Sequence, residues 1–240
     1  MKRQFARIRN VVTALASDTQ GLALIELAYG LPILLGVGFG GMEIANLAVT
    51  RMRVSQIAMG IADNATRAGD AQGMALKKVF ESDIYDTFEG ARIQGSSIQF
   101  KERARVVLSS LQQNSAGGQW IAWQRCYGNK PGGSSFGVAG AGKSGTALTG
   151  MGPAGSEIQA PPSGAVMYVE VTYSYKALVE PFAKGLQYFG LNVDSQDIKY
   201  RAAYIVRDAR QLGVSTIPNT TTAEDFGLFQ NTPAVPRLTC

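Results

Sequence analysis

The chain has 240 residues, of which 45% are hydrophobic and 17% are charged, whereas roughly 25% of the residues of an ordinary soluble domain are charged. It is long enough for one or two domains with a core, and its hydrophobicity, with 10 Phe, 9 Tyr and 2 Trp, excludes an intrinsically disordered chain. The absence of histidine excludes Ser-His-Asp triads and the usual zinc sites, so we predict no catalytic residues, no metal and no cofactor.

The first ten residues, MKRQFARIRN, form a basic leader. They contain four Lys or Arg residues, and no acidic residue precedes Asp18. By the positive-inside rule, the N-terminus is expected to stay in the cytoplasm and the chain beyond the next segment to be exported. Without residues 1–21 the chain has 19 basic and 17 acidic residues. The net charge of +5 therefore reflects the leader, and we predict no nucleic-acid partner because no basic stripe remains.

An apolar segment follows the leader. Sixteen residues without a charge lie between Glu26 and Glu43, and the apolar character extends from Leu22 to Ala48. At about 1.5 Å per residue, a helix of this length crosses a hydrocarbon core of about 30 Å. We therefore predict a transmembrane helix over residues 22–50.

Two simpler explanations of this segment stay open. A cleaved secretory signal needs an apolar region of about 7–15 residues before a small-residue cleavage site, but only residues 11–13 precede Ala14-Leu15-Ala16. A plain single-pass anchor explains the length and the flanking charges. It does not explain Glu26, because a carboxylate inside a membrane segment costs on the order of a few kcal/mol and points to a function.

The position of Glu26 follows a known pattern. In TQGLALIELAY, residues 19–29, a glycine is followed by four apolar residues and then by the glutamate. With the basic leader, this resembles the class III signal of type IV pilins. The resemblance implies that a prepilin peptidase cuts between Gly21 and Leu22, leaving Glu26 as the fifth residue. A carboxylate one helical turn from the new α-amino group can neutralise it on the same or an adjacent subunit.

More of the chain resembles the TadE-like proteins of the tight-adherence, or Flp-type, pilus machinery. In that family a short basic leader precedes a segment of the form G-x-x-x-[IVL]-E-[FLA]-A-x-x-x-P-[IL]-L-L, matched here by Glu26, Ala28, Pro32, Ile33, Leu34 and Leu35. The later stretch GQWIAWQRCYG, residues 118–128, resembles the family's strand with tryptophan and cysteine. The chain departs from the family at Leu27, where an aromatic residue is common, and in a long glycine-rich insertion after Cys126.

This resemblance implies a minor pseudopilin that acts by subunit packing in pilus assembly and adhesion. It implies a bacterial inner-membrane location, with a cytoplasmic N-terminus and a periplasmic C-terminal domain. The partners it implies are the prepilin peptidase and other pilin and minor pseudopilin subunits. The alternative is an uncleaved single-pass inner-membrane anchor protein with a periplasmic scaffold domain of a secretion system. An enzyme is not expected.

The exported domain, residues 51–240, begins within the same helix. Apolar residues continue at spacings of three and four, which predicts one helix from Leu22 to Thr66; they are Ile44, Leu47, Val54, Ile57, Ala58, Ile61, Ala62 and Ala65. A second amphipathic helix is predicted from Met74 to Phe88, with Gly90 ending it.

Four strands are predicted after the helices. They cover residues 105–111, 120–127, 167–175 and 198–206. In the third, apolar residues alternate with Tyr168, Glu170, Thr172 and Ser174, which indicates an antiparallel strand with one buried face. We therefore predict an α+β fold, pilin-like, in which a long N-terminal transmembrane helix packs on a sheet of about four antiparallel strands.

Residues 128–164 differ in composition, since 11 of these 37 residues are glycine. We predict a flexible surface loop that buries no core. The loop contains Gly137–Ser144, a match to the phosphate-binding pattern G-x-x-x-x-G-K-[ST]. A phosphate-binding loop follows a buried strand and opens a helix, whereas KPGGSSF and GTALTG flank this match. We therefore predict no nucleotide.

Cys126 and Cys240 are the only cysteines. They are either two independent thiols or, if the domain is exported to an oxidising periplasm, one disulfide, which we favour. Such a bridge closes a loop of more than 100 residues and is worth about 4 kcal/mol on the chain-entropy model.

Overall fold

The computed structural model describes residues 20–70, 76–188, 190, 196–213, 227–231 and 235–240. The predicted leader, residues 1–21, therefore lies outside the described residues except for its last two. The helices and strands, in chain order, are α1 (Gln20–Arg67), α2 (Glu81–Gln94), α3 (Phe100–Arg103), β1 (Ala104–Gln113), β2 (Gln119–Tyr127), β3 (Ala165–Ser174), α4 (Glu180–Gln187) and β4 (Asp197–Ile205).

The four strands form one antiparallel sheet in the order β2-β1-β3-β4. Each strand lies within two residues of its predicted position. The helix predicted from Leu22 to Thr66 is confirmed by α1, which begins two residues earlier and ends one residue later. The predicted α+β class, with one long N-terminal helix and four antiparallel strands, is confirmed.

The chain forms two compact units. The first comprises Met1–Asn46 and Ala177–Asp194, and the second comprises Leu47–Lys176 and Ser195–Cys240. The division falls within α1, a few residues before the predicted boundary at residue 50. The segment with α4 belongs to the first unit although it lies between β3 and β4 in the sequence, and the sequence pattern did not indicate this grouping.

In the second unit, α1 contributes one apolar face to the core. Its buried residues recur at helical spacings: Leu47, Thr50, Val54, Ile57, Ala58, Ile61, Ala62 and Ala65. The predicted apolar stripe is confirmed from Leu47 onward, whereas Ile44 is exposed. This face packs on the sheet, as amphipathic helices of two-layer folds do.

Two cationic side chains cap the C-terminal end of α1. The buried guanidinium of Arg210 donates hydrogen bonds to the carbonyl oxygens of Ala65 and Thr66, and Lys77 Nζ donates to the carbonyl oxygen of Arg67 at 2.7 Å. These carbonyls have no partner within the helix, and cations are favoured at this end of its dipole. Burial lowers the pKa of Arg210 to about 10, which leaves it protonated at neutral pH.

The second helix differs from its prediction at both ends. It begins at Glu81, whereas the prediction began at Met74, which lies outside the described residues. It passes through Gly90, where a Cβ would meet no atom within 4 Å, and ends before Gly95. A Cβ on Gly95 would lie 2.4 Å from Phe100 Cβ. The close approach of the chain after the helix, and not the exposed glycine, therefore sets its end.

Both faces of the sheet are covered. On one face Phe88 of α2 stacks on Tyr127, with ring centroids 5.3 Å apart, and Phe100 of α3 stacks on Tyr173 at 6.5 Å. On the other face Tyr168 and Glu170 are also buried. The prediction that the third strand has a single buried face is therefore wrong.

Residues 128–164, which we name the glycine-rich cover, bury this second face. Apolar residues of the cover pack against sheet residues Leu111, Ile121, Val166 and Tyr168; on the cover side they are Phe136, Ala141, Leu148, Met151 and Ala160. The prediction that this segment buries no core is wrong. The glycine-rich composition did not predict this burial, because a few well-separated apolar side chains are enough to cover one face of the sheet.

Glycines and one asparagine allow the cover to lie close to the sheet. Gly142 has a φ of +73°, and a Cβ there would lie 2.3 Å from the carbonyl oxygen of Gln119. Ala141 accepts a hydrogen bond from the Ile121 N–H at 2.9 Å. The Asn114 side chain donates to the Gly142 carbonyl at 2.8 Å. Backbone polar groups of the cover are thus paired where it touches the sheet.

The cover should contribute measurably to stability. We expect Met151→Ala to lower the free energy of unfolding by at least about 2 kcal/mol, because it leaves a cavity between the cover and the sheet. Fluorescence of Trp120 and Trp123, both buried in β2, reports unfolding of the sheet in urea. Val138→Ala, at an exposed position of the same cover, is the matched control and should cost almost nothing. Equal stability of the two variants would contradict a packed cover.

Candidate functional site

The first half of α1 presents apolar side chains on all sides. From Leu24 to Met42 most large hydrophobic residues are exposed, namely Leu24, Ile25, Leu27, Tyr29, Leu31, Ile33, Leu34, Leu35, Val37, Phe39 and Met42. Soluble proteins rarely expose a contiguous apolar surface of this kind, so it marks contact with a membrane or with other protein chains.

The helix has the length and composition of a membrane span. From Ala23 onward the helix is long and apolar enough to cross a membrane, and only 6% of its apolar stretch is buried. A core helix of a soluble protein would be mostly buried, so burial argues against that explanation. One long apolar N-terminal helix of this kind is consistent with a membrane anchor or a signal sequence.

The predicted site residues Gly21, Leu22 and Glu26 lie on the first two turns of α1. Gly21 and Leu22 belong to the first turn, where the N–H groups have no partner within the helix. Glu26 is exposed one turn later, and within the described part of the chain no hydrogen bond or ion pair engages its carboxylate. This placement allows Glu26 to face a positive charge outside the described residues or on another chain.

Glu43 is the other carboxylate of this apolar half, and its setting is different. It is 1% exposed, and its Oε2 accepts hydrogen bonds from the backbone N–H of Leu178 at 2.9 Å and of Val179 at 3.2 Å. Beside it, the rings of Phe39 and Phe182 lie 6.1 Å apart. No local pattern indicated this contact, because its partners lie 135 and 136 residues away in the chain.

The phosphate-binding pattern Gly137–Ser144 lies within the glycine-rich cover. It consists of turns, and its backbone is engaged by the sheet: the Gly140 N–H donates to the Ile121 carbonyl at 2.7 Å. Gly137, Gly140 and Gly142 all have positive φ, which serves tight turns. Neither a preceding buried strand nor a following helix frames the pattern within the described residues.

We expect Lys143→Ala to leave protein function intact, because the backbone of the pattern contributes to the cover and the lysine is not assigned to a ligand. The free energy of unfolding should stay within about 0.5 kcal/mol of wild type, as for most substitutions outside the core. Lys143 is half-buried, and Lys101→Ala, at an exposed lysine, is the control. Loss of function in the Lys143 variant alone, at unchanged stability, would show that the pattern has a ligand.

Cys126 and Cys240 are joined in a disulfide that spans 114 residues. The Cys126 N–H also donates to the Leu238 carbonyl at 2.8 Å. The C-terminal residues are therefore held on β2, an edge strand of the sheet.

A polar cavity of about 270 Å³ lies where the cover meets β3 and β4. Lys130 and Asp197 form an ion pair in it, with Lys130 Nζ 3.1 Å from Asp197 Oδ1, and Arg105 Nε donates to the backbone carbonyl of Gly132 at 2.9 Å. Burial alone would raise the pKa of Asp197, but the hydrogen bond from Lys130 helps to hold it below its ordinary value. These pairs bind the start of the cover to the sheet.

No group of three or more His, Cys, Asp or Glu side chains is arranged to hold a metal ion in the ranges that the structure describes. Comparisons with protein-family models, curated proteins and solved structures find no match to this chain. The family resemblance thus depends on the residues of the leader, the apolar segment and β2 quoted above.

Proposed function

We propose that this protein is a minor pseudopilin of a tight-adherence, or Flp-type, pilus, processed by a prepilin peptidase. It is anchored in the bacterial inner membrane, with its C-terminal domain in the periplasm. It acts by subunit packing in pilus biogenesis and adhesion, without catalysis. The observation that carries the proposal is a largely exposed apolar helix half with a carboxylate, Glu26, five residues after Gly21.

Each part of the molecule has a role in this proposal. The exposed half of α1 is the surface by which the subunit is held in the membrane and packs against other subunits. Glu26 neutralises the α-amino group that cleavage creates at Leu22. The second unit, with its disulfide and its sheet covered on both faces, is a rigid body for lateral contacts with other pilin and minor pseudopilin subunits.

The N-terminus of the protein from its native membrane tests the proposal. A first residue at Leu22, determined by sequencing or intact mass, supports a pseudopilin. Retention of residues 1–21 in a strain with an active peptidase supports the alternative, an uncleaved anchor protein with a periplasmic scaffold domain. Gly21→Leu should block cleavage. Gly30→Ala, where a Cβ meets no atom within 4 Å, should leave cleavage unchanged.

The role of Glu26 gives a second, quantitative prediction. We expect Glu26→Ala to reduce pilus number on the order of 100-fold, since an uncompensated charge within the membrane costs about 2.5–3.5 kcal/mol. Cleavage after Gly21 should change much less. Glu26→Asp keeps the charge and should retain most of the assembly. Wild-type pilus numbers in the alanine variant would refute the pairing role.

A further inference from the structure

The α4 segment, which we define as residues 177–188, is held against α1 by a contact that combines charge and shape. The Glu43 carboxylate accepts two backbone N–H groups of this segment. One turn earlier on α1, a Cβ on Gly40 would lie 3.3 Å from the ring of Phe182, so that the glycine leaves room for the phenylalanine. The segment is thereby fixed to a defined level of the apolar helix, between Phe39 and Glu43.

That level coincides with one edge of the hydrocarbon core. At about 1.5 Å per residue, the helix from Leu22 to Glu43 is about 32 Å long, and a bilayer core is about 30 Å thick. A span that begins near Leu22 therefore leaves the hydrocarbon close to Glu43. For such a span, the α4 segment, which contacts α1 at this point, is at the depth of the lipid headgroups.

The chemistry of the contact suits this depth. The N–H groups of Leu178 and Val179 precede the first turn of α4 and have no helical partner. Where little water is present, such groups and a carboxylate are each costly to leave unpaired. Glu43 and the two N–H groups satisfy one another, and the negative charge lies at the favourable end of the α4 dipole.

The outward side of the segment has the composition of an interfacial element. Leu178 is 61% exposed and Tyr188 is 93% exposed. Lys184 and Gln187 are exposed as well. Tyrosine is enriched at headgroup level because its ring is apolar and its hydroxyl is polar, and lysine favours anionic lipid.

We propose that the α4 segment lies in the headgroup region of the periplasmic leaflet and fixes the depth of α1 in the bilayer. The partner that the segment contacts is the lipid surface. Leu178 and Tyr188 enter the boundary between headgroups and acyl chains. The inference rests on the proposed function in one respect, namely that α1 spans the inner membrane. It goes further by assigning a second membrane contact about 135 residues along the chain from Glu43.

Spin-label accessibility in vesicles tests the proposal. The full-length protein, at low protein-to-lipid ratio in phosphatidylethanolamine and phosphatidylglycerol, carries one introduced cysteine at Leu178, Tyr188, Val37 or Val138. The native cysteines are bridged and stay unlabelled without reductant. Collisions with oxygen report lipid, and collisions with a nickel chelate report water. Val37 on the exposed half of α1 is the deep reference, and Val138 on the cover is the aqueous reference.

We expect the labels at 178 and 188 to lie between the two references: deeper than the label at 138, and shallower than the label at 37, which lies about 9 Å inside the level of Glu43. If both labels are as accessible to water as the label at 138 while the label at 37 lies in lipid, the proposal fails and the membrane anchor stands. If both labels are shielded from both reagents, protein covers the segment and the proposal also fails. If the label at 37 is itself in water, the anchor and with it the proposed function fail.

Variants that break the contact between α1 and the α4 segment provide a second test. Glu43→Ala should move the label at 178 from the lipid boundary into water, while Glu102→Ala, which removes an exposed glutamate of the second unit, should leave it unchanged. Phe182→Ala weakens the same contact without removing a charge and should shift the label in the same direction. An unchanged label depth in both the Glu43 and the Phe182 variants would overturn the role of this contact.

Discussion

Replacement of Arg125 by methionine is expected to lower the free energy of unfolding by about 3–5 kcal/mol. Arg125 of β2 and Glu81, the first residue of α2, form a buried pair with side-chain exposures of 9% and 2%. Arg125 Nε donates to Glu81 Oε2 at 2.8 Å, and Nη2 donates to Oε1. Without the guanidinium, the cation that remains near Glu81 among the described residues is Arg237, whose Nε is 3.9 Å away and whose side chain is half exposed.

Urea unfolding in detergent, followed by the fluorescence of the buried tryptophans of β2, measures this loss. Arg67→Met is the matched control, because Arg67 pairs with Asp63 at the surface and such a pair is worth about 0.3–0.5 kcal/mol. The double variant Glu81→Leu/Arg125→Met should be more stable than either single variant, since it removes both buried charges. A loss below about 1 kcal/mol in the single Arg125 variant would contradict a pair that depends on both partners.

Loss of the disulfide is expected to cost about 4–5 kcal/mol on the chain-entropy model, because the bridge closes a loop of 114 residues. Cys240→Ser is the appropriate variant, since Cys240 is exposed and Cys126 is buried. The same unfolding measurement applies. Reductant should lower wild-type stability to that of the variant and should leave the variant unchanged. Equal stability of oxidised wild type and Cys240→Ser would show that the bridge does not restrict the unfolded chain.

The strands and α1 were predictable because their signals are local. Alternation in β3 and helical spacing from Leu47 to Ala65 follow from the geometry of single elements. The burial of Tyr168 was not predictable in this way, because the residues that cover it come from a segment with few apolar side chains. The end of α2 was missed for a similar reason, since the approach of Phe100 to Gly95 depends on the path of the chain after the helix.

The charged contacts show the same limit more clearly. Glu43 is conspicuous in the sequence as the end of an uncharged run, but nothing local identifies the N–H groups of Leu178 and Val179 as its partners. Glu81 and Arg125 are likewise ordinary surface residue types, and only the packing of α2 on the sheet brings them together. Gly21, Leu22 and Glu26 were identified from a sequence motif. Their roles in cleavage and assembly stay predictions.

The position of the glycine-rich cover in the chain has a consequence for the order of folding. β1 and β2 are joined by a short turn and pair early, since local contacts form fastest. β3 follows the whole cover in the chain, so the hairpin forms first, with Leu111 and Ile121 uncovered. The cover contacts this face through Ala141. We therefore expect it to dock before β3 arrives and to shield an aggregation-prone hairpin from neighbouring nascent chains.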